Sequence, residues 1–308
     1  MLLLGAIVLA ACGGDDGGGD DDGGGAAPEA REAADFPVSV RADQGEVAIE
    51  ARPERVVSLS PSLTEMLYAV GAGDQVVAVD RNSDFPDGVP VTDLSGLRPN
   101  VEAMGGYRPD LVVLANDRDG IVGALTALGV PTLLLGSPAH LDDVYDQLAS
   151  IGAATGHAAE ADEVVDEIRD ELDELAGALP KRSRPLRYFF EVSDTYHSVT
   201  SQTFTGELLR LAGLASIADA AGGAAGGYPQ LSAEFVLDAD PDLIFLAHAG
   251  GANPTSDQVA ARAGWNRLAA VSNGRVVALE PDLASRWGPR IVDLLRAVVQ
   301  AVEALPGA

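Results

Sequence analysis

The strongest constraint on this chain is that it writes one segment twice. Glu102-Ala-Met-Gly-Gly-Tyr-Arg-Pro109-Asp110-Leu-Val-Val-Leu114-Ala115 parallels Glu234-Phe-Val-Leu-Asp-Ala-Asp-Pro241-Asp242-Leu-Ile-Phe-Leu246-Ala247, and in both copies Pro follows Glu by seven positions. The repeat distance, 132 residues, is too long for a solenoid and matches the size of a lobe. Two similar lobes facing each other across a cleft are the simplest architecture, and crevices of that kind are favoured ligand sites.

The patterning around the repeat says what the lobes contain. Arg55 to Leu59 reads as a buried strand, followed by Ser60-Pro61-Ser62 and a helical stripe of Leu63, Met66, Leu67 and Val70 that stops at Gly71. Strands are expected at 75–79, 110–115 and 130–135, with helices at 121–128 and 141–155. Such alternation implies a largely parallel sheet with helices on both faces. From His157 to Leu179 the residues Val164, Ile168, Leu172, Leu175 and Leu179 form a single apolar stripe among acids, a helix of ~35 Å at 1.5 Å per residue. It is either a surface helix or a strut between lobes, and the second half favours the strut. That half reads as strands at 186–192, 243–247 and 275–279, with helices at 203–211, 258–268 and 291–305. The expected fold class is therefore α/β: two similar three-layer lobes with mostly parallel sheets, at 36–156 and 181–308, joined by one long helix at 157–180.

With 308 residues and 47% hydrophobic composition the chain can fill two cores. Acids outnumber Lys and Arg by 47 to 20, a formal charge of −27, so its surface repels nucleic-acid backbones. One cysteine closes no internal disulfide, and four dispersed histidines show no metal-ligand spacing. Neither a metal site nor a bound cofactor is indicated. Ser60 and Ser62 lie on a strand-to-helix turn, but no Gly-x-Ser-x-Gly surrounds them, and Pro61 and Ser62 read as cap residues. No nucleophile and base converge in the pattern, so an enzyme is not expected.

The N-terminus reads as an address. An apolar run from Leu2 to Ala11 ends at Leu9-Ala10-Ala11-Cys12-Gly13, and ten apolar residues are about half of the ~20 that a spanning helix needs. It resembles a bacterial lipoprotein signal, residues 1–11, with Cys12 as the acylated first residue of the mature chain. Residues 12–35 hold eight Gly, eight acids and one Arg, a disordered tether with a reach of ~27 Å.

Glu102 and Glu234 each follow an N-cap residue, Asn100 and Ser232, by two positions. A carboxylate there complements the helix dipole by ~0.3–1 kcal/mol. As a pair on equivalent lobes they also offer two anionic contacts to arginines of a partner with two-fold symmetry.

A wider set of stretches carries a family resemblance: Arg55-Val-Val-Ser-Leu-Ser-Pro-Ser-Leu-Thr-Glu65, Gly71 to Val79, Ser83-Asp84-Phe85-Pro86, Asn100-Val-Glu102, Arg108 to Val112, Tyr228-Pro-Gln-Leu-Ser232-Ala-Glu234 and Pro289-Arg290. Over residues 46 to 303 the chain resembles the class III substrate-binding proteins of ABC importers, which carry cobalamin, ferric siderophores or haem. The resemblance implies a lipid-tethered extracytoplasmic receptor that docks on a permease dimer with its ATPase subunits, through Glu102 and Glu234. Ser-Pro-Ser-Leu-Thr-Glu, Ser-Asp-Phe-Pro and Trp287-Gly-Pro-Arg290 are most similar to the cobalamin-binding branch, although Asp93 to Gly96 and Ala115-Asn116 lack that branch's tryptophans. It implies a corrinoid or a related iron chelate as ligand, held by Asn82, Phe85, Leu94, Tyr228, Gln230, Asp282, Arg286 and Trp287.

Individual residues keep two readings. Trp287 either stacks on a flat ligand or fills the core under the last helix. Arg286 either meets the ligand or pairs with Asp282 or Glu280. Tyr228 follows the Gly222–Gly227 run, which lacks the strand and Lys-Ser/Thr of a phosphate loop. His197 and His248 read as surface residues before metal ligands.

Overall fold

The structure, a computed structural model, describes residues 36–180, 182–221, 225–248 and 253–304. Residues 1–35, where the leader, the tether and the acylated Cys12 are expected, lie outside them. The chain opens with a hairpin of β1 (Val38–Ala42) and β2 (Gly45–Ile49). The first lobe then runs β3 (Val56–Ser58), α1 (Pro61–Ala69), β4 (Val76–Val79), α2 (Val101–Gly105), β5 (Leu111–Leu114), α3 (Ile121–Ala127), β6 (Thr132–Leu134) and α4 (Leu141–Thr155). Helix α5 (Ala158–Ala178) follows. The second lobe runs β7 (Leu186–Glu191), α6 (Phe204–Leu211), β8 (Leu214–Ser216), α7 (Ala233–Ala239), β9 (Leu243–Leu246), α8 (Ser256–Ala260), α9 (Ala269–Ser272), β10 (Val276–Ala278), α10 (Pro281–Ser285) and α11 (Ile291–Glu303).

The duplication is topological as well as written. The sheets are ordered β4-β3-β5-β6 and β8-β7-β9-β10, all parallel, so in each lobe the first strand is central and lies between the second and the third. The repeated Pro-Asp-Leu does the same work in both. Asp110 accepts from the backbone N–H of Arg55, just before β3, at 2.8 Å, and Asp242 accepts from that of Arg187 in β7 at 2.8 Å. Each aspartate thus ties the start of its lobe's third strand to the start of the first, and satisfies a strand-end donor.

β5 and β9 are buried along their whole length, as expected of central parallel strands covered on both faces. Alternate residues serve different cores. Tyr188, Phe190 and Phe245 face the inner core, whereas Phe189, Ile244 and Leu246 pack outward with Trp265. The inner core runs without a break from α1 and α4 through α5 to α6 and α11. The lobes are therefore joined by more than the connecting helix. α5 buries Ala161, Val165, Ile168 and Leu172, its Arg169 guanidinium lies 4.4 Å from the Tyr145 ring of α4, and Glu171 pairs with Arg296 of α11 at 2.6 Å.

One expected helix is corrected. Residues 258–268 are not one helix: α8 ends at Ala260, and Gly264 takes φ +81° before a short turn at Trp265–Arg267. The break lets Arg262 and Trp265 both turn inward, the guanidinium 4.6 Å from the indole and on the buried Glu191 at 2.5 and 2.8 Å. The hairpin and the three-residue β8 were not expected.

The start of α5 carries a pH prediction. Arg52 can only donate, so its 2.8 Å contact with His157 Nε2 requires a neutral ring. Burial first, then the Arg52 charge, holds the His157 pKa below its usual value, with Glu160 opposing. The unfolded chain then binds the extra proton first as pH falls below about 6.5. This contribution to stability is present above that pH and is lost down to the folded-state pKa. The urea midpoint should fall more steeply below pH 6.5 for the native chain than for His157→Gln.

Candidate functional site

Parallel sheets place ligands outside the carboxyl ends of their strands, where the strand order switches direction. In the second lobe that point lies between β7 and β9, and the residues there line a cavity of about 200 Å³. Phe190 is the last residue but one of β7, Val192 follows that strand, and Ala247 follows β9. Phe204 and Thr205 come from the start of α6, where Thr203 caps the helix by accepting from Gly206 N–H at 3.0 Å. Tyr228 stands at the lip, 48% exposed, and Ser137 and Pro138 complete the wall from the first lobe. The cavity is thus interlobe and mostly apolar, with four aromatic rings on its surface.

The last wall is Ala284 to Trp287. Glu280, two residues past β10, caps α10, accepting from Asp282 and Leu283 N–H at 3.1 and 2.8 Å, while Pro281 fixes the first helical φ. Arg286 follows and is tied on every side. It reaches Glu65 at 3.1 Å, Asp84 at 2.9 Å, Asp282 at 2.8 Å and the Asn82 carbonyl at 3.1 Å. Three carboxylates thus share one guanidinium. Burial pulls the Arg286 pKa down, but the bonds to Asp84 and Glu65 outweigh it and hold it above its usual value. Burial pushes the Asp282 carboxyl up, with Arg286 opposing, and burial likewise raises the Tyr228 phenol despite a bond to Thr205. Tyr228 is a neutral phenol at neutral pH.

Trp287 stands between the core and the cavity. The ring packs on the inner core and also lines the cavity, with Nε1 donating to Gln147 Oε1 at 2.9 Å.

A second hollow, about 720 Å³, lies in the first lobe. It opens beyond β4 at Arg81 and Asn82, is bordered by Thr92 to Arg98, and runs along α2 to Tyr107. Asn82 and Leu94 line it, although most of the Leu94 side chain is buried in the outer core of that lobe. The eight residues expected at the ligand are therefore distributed. Tyr228, Arg286 and Trp287 meet in the interlobe cavity, and Asp282 reaches it through Arg286. Asn82 and Leu94 belong to the larger hollow. Phe85 is exposed, its ring 4.1 Å from the Arg290 guanidinium, and Gln230 is exposed with its amide donating to the Thr195 carbonyl at 3.1 Å. Missed by sequence reasoning were Phe190, Phe204 and Val192. Their signal was available: they sit at the carboxyl end of the first strand and the start of the helix after it.

Glu102 and Glu234 occupy matching places. Asn100 Oδ1 accepts from Ala103 N–H at 2.9 Å and Ser232 Oγ from Phe235 N–H at 3.1 Å, so each glutamate sits in the first turn of a capped helix. Both are exposed, and neither carboxylate has a hydrogen-bond or ion-pair partner among the described residues. His197 is held by Ser193 and Thr195, and His248 by Glu191 at 2.8 Å. Among the described residues no three His, Cys, Asp or Glu side chains gather as a metal site.

Residues 56–283 match the sequence model of the periplasmic binding proteins. The chain belongs to that family. This periplasmic binding protein is 30% identical over 286 residues to a Bacillus subtilis protein named as the uncharacterised ABC transporter substrate-binding lipoprotein YvrC, covering 87% of this chain and 86% of the relative. It is 31% identical over 283 residues to a cobalamin-binding protein of Halobacterium salinarum, covering 89% of this chain and 76% of the relative. Among solved structures, a possible iron-binding periplasmic solute-binding protein of Staphylococcus epidermidis superimposes with a TM-score of 0.72 at 26% identity, over 82% of this chain and 99% of that one. The periplasmic binding protein described here is thus a substrate-binding component of ABC transport, and not an enzyme. No helix among its described residues is long and apolar enough to cross a membrane.

Proposed function

We propose that this binding protein is a lipid-anchored extracytoplasmic receptor that holds a corrinoid between its lobes and delivers it to an ABC permease. Residues 1–11 are its leader, Cys12 its acylated residue, and 12–35 the tether that lets the body, lobes 36–156 and 181–308 about the helix 157–180, stand off the membrane. The observation that carries the ligand reading is the cavity's chemistry: flat aromatic walls beside an arginine already shared by three carboxylates. An anionic catecholate chelate needs free cations, and Arg286 offers none. A corrinoid needs ring contact and neutral hydrogen-bonding partners for its amides, which Tyr228, Trp287 and Thr205 supply. At about 200 Å³ the cavity is smaller than the ~300–1,000 Å³ typical of ligand sites, so it takes an edge or arm of the macrocycle. In this reading Asn82 and Leu94, which line the larger hollow, meet the rest. The Halobacterium relative's name supports the same class.

The second reading, haem or a ferric chelate, rests on Tyr228, a phenol that could ligate iron. Its raised pKa weakens that role. Titration calorimetry of the full chain separates the two, with cyanocobalamin, haemin and a ferric hydroxamate as probes. Saturation by cyanocobalamin at micromolar concentration or below is expected. Saturation by either iron compound instead, or by none of the three, overturns the corrinoid reading.

A further inference from the structure

Glu65 lies in α1 of the first lobe and is 3% exposed, yet its carboxylate partners all come from the other lobe. Arg290 grips it with two bonds, Nε to Oε2 at 2.9 Å and Nη2 to Oε1 at 2.6 Å. Arg286 adds a third, to Oε1 at 3.1 Å. Two more bonds cross at the same place, since Trp287 N–H donates to Ser62 Oγ at 3.1 Å and its indole to Gln147 of α4 at 2.9 Å. Arg286 also reaches back to the first lobe's Asn82 carbonyl and Asp84. The inner core holds the lobes together from beneath, through α4, α5 and α11. This cluster instead sits beside the cavity, where the walls would splay.

A buried carboxylate is tolerable only while its cations stay in place, because separation leaves an uncompensated charge in a poorly solvated site. Any opening that withdraws α10 and α11 from α1 strands Glu65. We infer that Glu65 is a positioning residue: it sets the separation of the lobes and holds the Arg286–Trp287 wall against the cleft. It does not line the cavity itself, so it acts through those two residues. The assignment is independent of which ligand the cleft takes.

The test uses the full chain with Cys12→Ser and spin labels at Ala124→Cys in α3 and Asp238→Cys in α7, both exposed positions. Pulsed electron resonance should give one narrow interlobe distance for this background. In Glu65→Gln, the splayed population should rise by about 10-fold or more, the ratio expected for losing a charge-assisted hydrogen bond. Acrylamide quenching gives a second readout, because the only other tryptophan, Trp265, is 0% exposed and serves as an internal reference. Trp287 should become more accessible. Arg290→Lys keeps the charge but loses the two-pronged grip, so the same shift should appear at smaller amplitude, and it decides the matter if Glu65→Gln fails to fold. A lowered melting temperature with unchanged distance and unchanged quenching would make Glu65 a stabilising residue only, and overturn the inference.

Discussion

Cells carrying the double charge reversal Glu102→Lys with Glu234→Lys should lose uptake of the ligand while the purified variant still binds it. The physical basis is that both carboxylates are exposed, sit in the first turn of a capped helix and have no partner among the described residues. Beyond the dipole of its own short helix, no described residue uses either carboxylate, so reversal should leave ligand affinity within about twofold, as for surface changes of up to ~0.5 kcal/mol. If the two glutamates are the docking contacts proposed above, the same change should be severe at the transporter. Removing one member of a desolvated charge pair costs ~2–5 kcal/mol, and two contacts with added repulsion weaken docking by roughly 10³-fold or more. Single reversals should fall between. Uptake of labelled ligand, measured beside calorimetric affinity, checks the claim, and normal uptake by the double variant would remove these glutamates from docking.

That prediction descends from the written repeat, and the repeat shows why so much of the fold was legible. Its Pro-Asp-Leu is constrained by the same backbone job in each lobe, the aspartate closing the start of the first strand. Buried parallel strands such as Leu111–Leu114 and Leu243–Leu246 are short apolar runs between turn residues, which pattern alone finds. Helix α4, bounded by an acidic first turn and Gly156 in the left-handed region, has both ends marked in the sequence. Where pattern failed, a tertiary demand decided. Residues 258–268 have helical spacing, but the buried Glu191 draws Arg262 inward, and Trp265, past the Gly264 turn, packs against that guanidinium. The hairpin at 38–49 alternates Val38, Val40 and Ala42 around a Gly45 turn, a period of two that was there to be read.

The site was less legible because its residues look like core. Phe190 and Phe204 belong to an apolar strand and an apolar helix, and only the fold reveals that one face of each borders a cavity. Glu65 stood inside the most family-like motif of the chain, yet its partners lie 221 and 225 residues away, a distance no local pattern spans. In the sequence, Arg286 has two readings, a ligand contact or an ion pair with Asp282 or Glu280. It pairs with Asp282, and also with two acids of the other lobe that sequence reasoning did not consider.

The largest effect on stability is expected from Phe245→Ala. Phe245 is fully buried on β9, and its ring meets Tyr188 edge-on at 6.2 Å and Phe190 at a 44° tilt and 6.3 Å. Truncation should cost ~3–5 kcal/mol, the range for a buried phenylalanine whose site collapses only in part. That is a large share of the ~5–15 kcal/mol by which such a fold is stable. The consequence extends beyond stability because Phe190 packs against Phe245 while also lining the interlobe cavity. With its neighbour gone, the Phe190 ring can turn into the void and flatten the cavity wall, so ligand affinity should fall even in the fraction that stays folded. Phe245→Leu fills most of the space and should retain most of both properties. Urea unfolding followed by far-ultraviolet circular dichroism, with calorimetric titration of the folded variants, measures the two effects separately. If Phe245→Ala loses its stability but keeps full affinity, the aromatic wall is held by the strand backbone and not by the ring behind it.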